Sequence, residues 1–178
     1  MSEMTAEQAH QFVHNVILPM LQNESRTTRS VLAAVPNGNL AYRPDPCAKS
    51  ASELLRHIAG ADILFLKTVV DGAFVPGSVK VPEHLTAPQE VADWYQSEHA
   101  KNLDAIGALS GEQLMRTVDF RAAFQRPAWS FLQFGLVHAI HHRGQLSTYL
   151  RPMGDKVPAI YGESYDSAEA KRAAQTVA

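Results

Sequence analysis

FLQFGLVHAIHHRGQLSTYLRPMG, residues 131–154, is the stretch on which the fold turns. It holds three of the chain's eight histidines within five residues. His138 and His142 are four apart, and at about 3.6 residues per helical turn that spacing stacks two side chains on one face. Two imidazoles so placed can grip one transition-metal ion. Zinc-like ions take at least about three protein ligands, so a third must come from elsewhere in the chain. Pro127 suits the first turn of the helix carrying the pair, and Pro152 and Gly154 end it near Arg151. Its inward stripe reads Phe131, Phe134 or Gly135, His138, His142, Gln145 and Tyr149. Gly135 lowers helix propensity and so marks a close approach of another element.

Working outward, three more segments carry a helical period. From about Thr5 to Val35 the stripe is Val13, Ile17, Met20, Glu24, Thr28, Val31 and Val35, with a kink or break expected just before Pro19. Glu24 on this stripe is read either as a carboxylate paired with a neighbour or as a partner to a metal-bound histidine. Ser50 and Glu53 fit a capping box opening a second helix, which Asp71-Gly72 ends. Its inward stripe, Leu54, His57, Ala61, Leu64 or Phe65 and Thr68, makes His57 the natural third ligand. A third helix, introduced by a capping box over Thr86 to Gln89 with Pro88 in its first turn, runs to about Leu109 with His99 inward. His99 is expected to bond Glu24 or Tyr95, the alternative being a contact with the metal site or the substrate. Between residues 110 and 126 the periodicity weakens. A short helical turn around Gly111–Leu114, then an extended VDFRAAF crossing the bundle, is expected. The tail promises a short polar helix.

Four long amphipathic helices and almost no strand pattern predict an all-α four-helix bundle with a short extra C-terminal helix, one domain over residues 1–178. A formal net charge of -2 with no basic run leaves no electrostatic footprint for nucleic acid. No apolar run approaches the roughly 20 residues of a membrane span, and the N-terminus shows no secretory pattern. The single Cys47 excludes an intramolecular disulfide and fits a reducing, cytoplasmic compartment.

His57, His138 and His142 together would form a three-imidazole site suited to zinc, nickel, copper or ferrous iron. Three protein ligands leave one position open, as catalytic sites do. His141 points a third of a turn from the pair and is expected on the surface or supporting the ligands, not as a ligand itself. Arg143 and Gln145 are candidates for orienting substrate or fixing the helix through polar contacts.

HAIHHRGQLSTYLRPMGDKVPAIYG resembles the C-terminal signature of the DinB-like family, within the DinB/YfiT superfamily. RSVLAAVPNGNLAYRPDPCAKSASELLRHIAGADILFL and the VVDGAF beside it resemble the family's end of helix 1, connector and helix 2. The resemblance implies a bundle with up-down-down-up topology, often dimeric. It also implies a metal triad of one helix-2 histidine and a helix-4 HxxxH pair, which fall on His57, His138 and His142. Superfamily relatives with known roles are metal-dependent enzymes that use low-molecular-weight thiols, S-transferases and an isomerase among them. The expectation is therefore a divalent-metal-dependent enzyme, most simply a thiol S-transferase acting on a small electrophile. The alternatives are a metal-dependent hydrolase and a non-catalytic metal- or ligand-binding stress protein.

Overall fold

A computed structural model describes residues 4–176. The first long helix is built of α1 (Ala6–Phe12), a π-helical turn (Val13–Ile17) and α2 (Leu18–Ala33). Then come α3 (Ala51–Asp71), α4 (Pro88–Gly107), the short α5 (Gly111–Leu114), a hairpin of β1 (Thr117–Phe120) and β2 (Phe124–Pro127), α6 (Ser130–Leu150) and α7 (Tyr165–Thr176). The long helices close a ring in which α2 packs on α4, α4 on α3, α3 on α6 and α6 on α2.

Contacts at the helix ends fix the directions. Arg29, late in α2, pairs with Asp93, early in α4, so these two run oppositely. Arg56, early in α3, donates to the carbonyls of Val81, Pro82 and Leu85 just ahead of α4, so α3 and α4 run the same way. The Tyr149 hydroxyl at the end of α6 donates to the Lys49 carbonyl ahead of α3, and these two are antiparallel. Asn39, past α2, donates to the Met153 carbonyl past α6, so α2 and α6 are parallel. The result is up-down-down-up.

Local sequence explains the boundaries. Ser50 caps α3, its hydroxyl accepting from the Glu53 amide while the Glu53 carboxylate accepts from the Ser50 amide. Gly72 ends it in the left-handed region, φ 69°. The α4 start differs from expectation. Ala87 is the cap residue and has no acceptor to offer, so the Glu90 carboxylate instead accepts from the Thr86 and Ala87 amides.

Pro19 causes no break. The Leu18 amide bonds the Val13 carbonyl, five residues back, and the missing Pro19 N–H falls in the turn just beyond. This wide turn corrects the expected stripe. The residues buried are Val13, Ile17, Leu21, Ser25 and Thr28, whereas Met20 is 41% exposed. Steps of four drift about 40° each around a regular α-helix, and the π turn takes up that drift. Just beyond it the core face falls on Leu21 and Ser25, one residue after Met20 and Glu24, and Thr28, Val31 and Val35 are buried as expected.

Two further corrections concern residues 110–130. VDFRAAF does not cross the bundle as one extended strand. It turns back on itself, pairing Thr117 with Pro127 and Phe120 with Phe124. Pro127 thus closes β2, and α6 starts three residues later, at Ser130. Among the described residues, no helix is long and apolar enough to cross a membrane.

Candidate metal centre

His57 from α3 and His138 and His142 from α6 meet where the two antiparallel helices are held close by Gly135. One nitrogen from each ring lies within 4.8 Å of the others. The ring centroids are 4.9 Å apart for His57–His138, 4.6 Å for His57–His142 and 4.4 Å for His138–His142. The Nε2 atoms of His57 and His142 face each other at 3.2 Å. Two nitrogens at zinc-like bond lengths on a tetrahedral ion sit about 3.3 Å apart, so this separation fits an ion between them. His142 Nδ1 is 2.7 Å from Gln145 Oε1. An amide oxygen accepts only, so Nδ1 carries the proton and the Nε2 lone pair is directed at His57.

Electrostatics agree with the donor set. Burial, then the neighbouring His142 ring, holds His57 below the ordinary imidazole range. Burial and the three surrounding histidines push His138 down to about 4. Both rings are then neutral at neutral pH, the form that binds a metal. His138 Nδ1 is buried without a hydrogen-bond partner.

The histidines do not face the core as expected. Phe131, Gly135 and Tyr149 are buried as expected, but between them the buried face of α6 runs through Ala139, Arg143 and Leu146, one residue after His138, His142 and Gln145. His138, His142 and His57 sit on its flank, half-buried, and His57 and His138 line a cleft of about 800 Å³. Its lining is mostly apolar, with Phe65, Phe74, Phe120 and Phe134 on the walls, and His141 on its rim. The His141 ring packs against His142 at 4.8 Å.

The remaining candidates belong to a polar layer through the middle of the bundle. Arg143 is 1% exposed. It pairs with Glu24 Oε2 at 2.7 Å and donates to Thr28 Oγ1 at 3.1 Å and to the Tyr161 hydroxyl at 2.6 Å. Tyr161 in turn donates to Glu24 at 2.9 Å. Glu24 is therefore the partner of Arg143, not of a histidine in the cluster. His99 bonds neither Glu24 nor Tyr95. Its Nε2 lies 3.8 Å from Asp62 Oδ2, which accepts the Tyr95 hydroxyl at 2.7 Å. Burial raises the Asp62 pKa and lowers that of His99, driving both towards their uncharged forms. Tyr95 was expected beside His99, whereas Asp62 was not singled out from the sequence. A carboxylate in the otherwise apolar run GADILFL was the available signal.

YjoA of Bacillus subtilis (strain 168) is 30% identical over 142 residues, which is 79% of this chain and 90% of that one. The crystal structure of that DinB-like protein superposes with a TM-score of 0.68 at 26% identity, covering 83% of this chain and 99% of the other. A DinB-like protein from Bacillus cereus ATCC 10987 gives a TM-score of 0.68 at 25% identity, covering 82% and 95%. The DinB family profile matches residues 4–175. A helical bundle of this topology, matched along nearly its whole length, places the chain in the DinB family.

Proposed function

We propose that His57, His138 and His142 hold one divalent transition-metal ion, zinc, nickel or iron, and that the protein is a thiol-dependent S-transferase acting on a small electrophile. The observation that carries this reading is the facing pair of His57 and His142 Nε2 atoms at 3.2 Å, beside a cleft that His57 and His138 line. When bound, such an ion supplies the positive charge that keeps a thiol or a water deprotonated at neutral pH. The chain supplies the rest. Gln145 keeps the His142 proton on Nδ1, and the aromatic walls strip water from an apolar substrate. In the transfer a sulfur–carbon bond forms and the bond from that carbon to its leaving group breaks. The leaving group departs with the electron pair, and the thiol proton goes to solvent. Water in place of the thiol gives the hydrolase version. A rate independent of added thiol selects hydrolysis over transfer.

Metal content of the untagged protein, by elemental analysis, is the first test. It is run beside a His57→Ala, His138→Ala, His142→Ala variant that still folds. About one equivalent in the wild type and none in the variant is expected. A wild type that stays empty after reconstitution with zinc, nickel and ferrous iron overturns the proposal, and the histidines are then polar groups bonded to one another. Binding without turnover across thiols and electrophiles leaves the metal site and removes the enzyme, as in a metal-binding stress protein. A homodimer in the cytoplasm completes the reading, with Val16 and Met20 exposed on the first helix, and light scattering gives the mass.

A further inference from the structure

The cleft has two chemically different ends. Stepping away from His138, ring centroids follow at 5.6 Å to Phe65, 6.1 Å on to Phe74 and 4.5 Å on to Phe120. Phe134 flanks Phe65 at 6.2 Å and Phe120 at 6.0 Å, so the wall is continuous. Beyond Phe120 the hairpin places Arg121 and Arg126 on the cleft lining. Among the described residues no carboxylate pairs with either guanidinium.

The hairpin turn is unusual in a way that bears on Arg121. Arg121 and Ala122 both adopt positive φ, 56° and 58°. A turn of that hand normally takes Asn-Gly, because a Cβ is strained there. The strain is held in place locally. The Ala123 amide donates to the Phe120 carbonyl at 3.0 Å, and the Asp119 carboxylate accepts from the Ala122 amide at 2.7 Å. The chain thus spends its permissive turn position on a long cationic side chain at the cleft.

We propose that the cleft binds a small carboxylate with a flat apolar body. Arg121 and Arg126 hold the carboxylate at the hairpin end, the phenylalanine wall covers the body, and the reactive carbon lies at the histidine end. This names the substrate class of the proposed transferase and rests on that reading for the chemistry. Two guanidiniums free of carboxylate partners offer the planar, paired donors that fit a carboxylate. A continuous aromatic wall suits a flat apolar body in offset or edge-on contact.

The test titrates naphthoate and its neutral analogue naphthylmethanol by calorimetry into three proteins. These are the wild type, an Arg121→Ala, Arg126→Ala variant, and the His57→Ala, His138→Ala, His142→Ala variant. Both arginines are exposed, so their removal leaves the fold intact. Naphthoate is expected to bind the wild type at least about tenfold more tightly than the alcohol. That preference should vanish in the arginine variant and persist in the histidine variant. Equal affinity for the two probes in the wild type overturns the proposal. So does a preference that survives in the arginine variant but disappears in the histidine variant, which assigns the anion contact to a bound ion. Failure of both probes to bind a wild type that runs as a dimer also overturns it, and assigns the wall, with Phe134 47% and Val137 66% exposed, to self-association. Metal content measured on the same samples separates the two readings. One equivalent of ion without a naphthoate preference removes the cleft proposal alone. The preference without any ion removes the metalloenzyme alone.

Discussion

Replacing Gly135 with alanine should destabilise the protein and loosen the histidine cluster, although the same exchange elsewhere in α6 should do the reverse. A Cβ at Gly135 would meet Phe65 Cβ at 2.8 Å, Phe65 Cγ at 3.3 Å and Asp62 Oδ1 at 3.5 Å. Carbon pairs prefer about 3.5–4.0 Å, so α3 and α6 must part by roughly 0.7 Å. Phe65 cannot relieve the clash by rotating its ring, because the closest atom is its Cβ. Overpacking of this kind costs about 2 kcal/mol, against about 1 kcal/mol gained in helix propensity. Gly144 is the internal control. It lies in the same helix, is exposed, and a Cβ there meets nothing within 4 Å. Gly144→Ala should therefore gain about 1 kcal/mol. The two variants should differ by about 2 kcal/mol, or about 6 °C in melting temperature at this chain length. Thermal and urea melts of the metal-free proteins read this directly. Because His138 lies one turn beyond Gly135, the displacement exceeds the roughly 0.2 Å tolerance of metal–ligand distances. Zinc affinity should fall about tenfold in Gly135→Ala and not in Gly144→Ala. A Gly135→Ala protein that melts as high as Gly144→Ala refutes the close-packing argument.

Gln145→Ala should leave the melting temperature of the metal-free protein nearly unchanged and weaken zinc binding by about tenfold or more, because His142 loses the acceptor that sets its tautomer. In the polar layer the two halves of one ion pair should behave differently. Glu24→Ala strands a guanidinium that is 1% exposed and should cost about 3 kcal/mol, whereas Arg143→Met removes the buried charge and should cost less. Equal losses in denaturant melts would mean that Thr28, Tyr161 and the residue-24 carbonyl satisfy Arg143 without the carboxylate. Stability should also fall in acid through His99. Its folded-state pKa lies below the ordinary 6.5, mainly from burial, so the unfolded chain binds more protons once pH drops under that value. His99 thus contributes stability that is present above pH 6.5 and lost below it, while Asp62, raised by burial, contributes with the opposite sign. Melts from pH 7.5 down to 5 should show a shallower decline in His99→Gln, and an identical slope would remove His99 as the cause.

How much of this was legible in the sequence depended on whether the signal was local. The capping box at Ser50, the stop at Gly72 and the HxxxH spacing are set within one or two turns, and the structure shows each where expected. Gly135 advertised a close approach because nothing local accounts for a glycine in a helix. The face on which His138 and His142 lie was read one residue out. A helical period gives the spacing of a stripe but not its angle to three neighbours, and Arg143, a residue type seldom buried, occupies the centre of the true core face. Its partners come from α2 and from Tyr161 past α6, across 119 and 18 residues of sequence, which no window can link. The hairpin was missed for a different reason. Its strands are four residues each, and its turn carries Arg-Ala where Asn-Gly would have announced it.

The wide turn at Val13–Ile17 makes the first helix two components set out of phase. The segment before it packs on α5, where a Cβ on Gly111 would strike the Ala6 carbonyl oxygen, and the segment after it supplies Leu21, Ser25 and Thr28 to α4 and α6. Each half is indexed to its own neighbours, and the surplus residue is what lets both be in register at once. Insertions and deletions should therefore be judged by position, not size. Deleting one residue inside the turn would restore a plain α-helix and leave the backbone satisfied. It would also rotate every later residue by about 100° and carry Glu24 away from Arg143. In this bundle the length of one turn governs a charge pair more than one helical turn downstream.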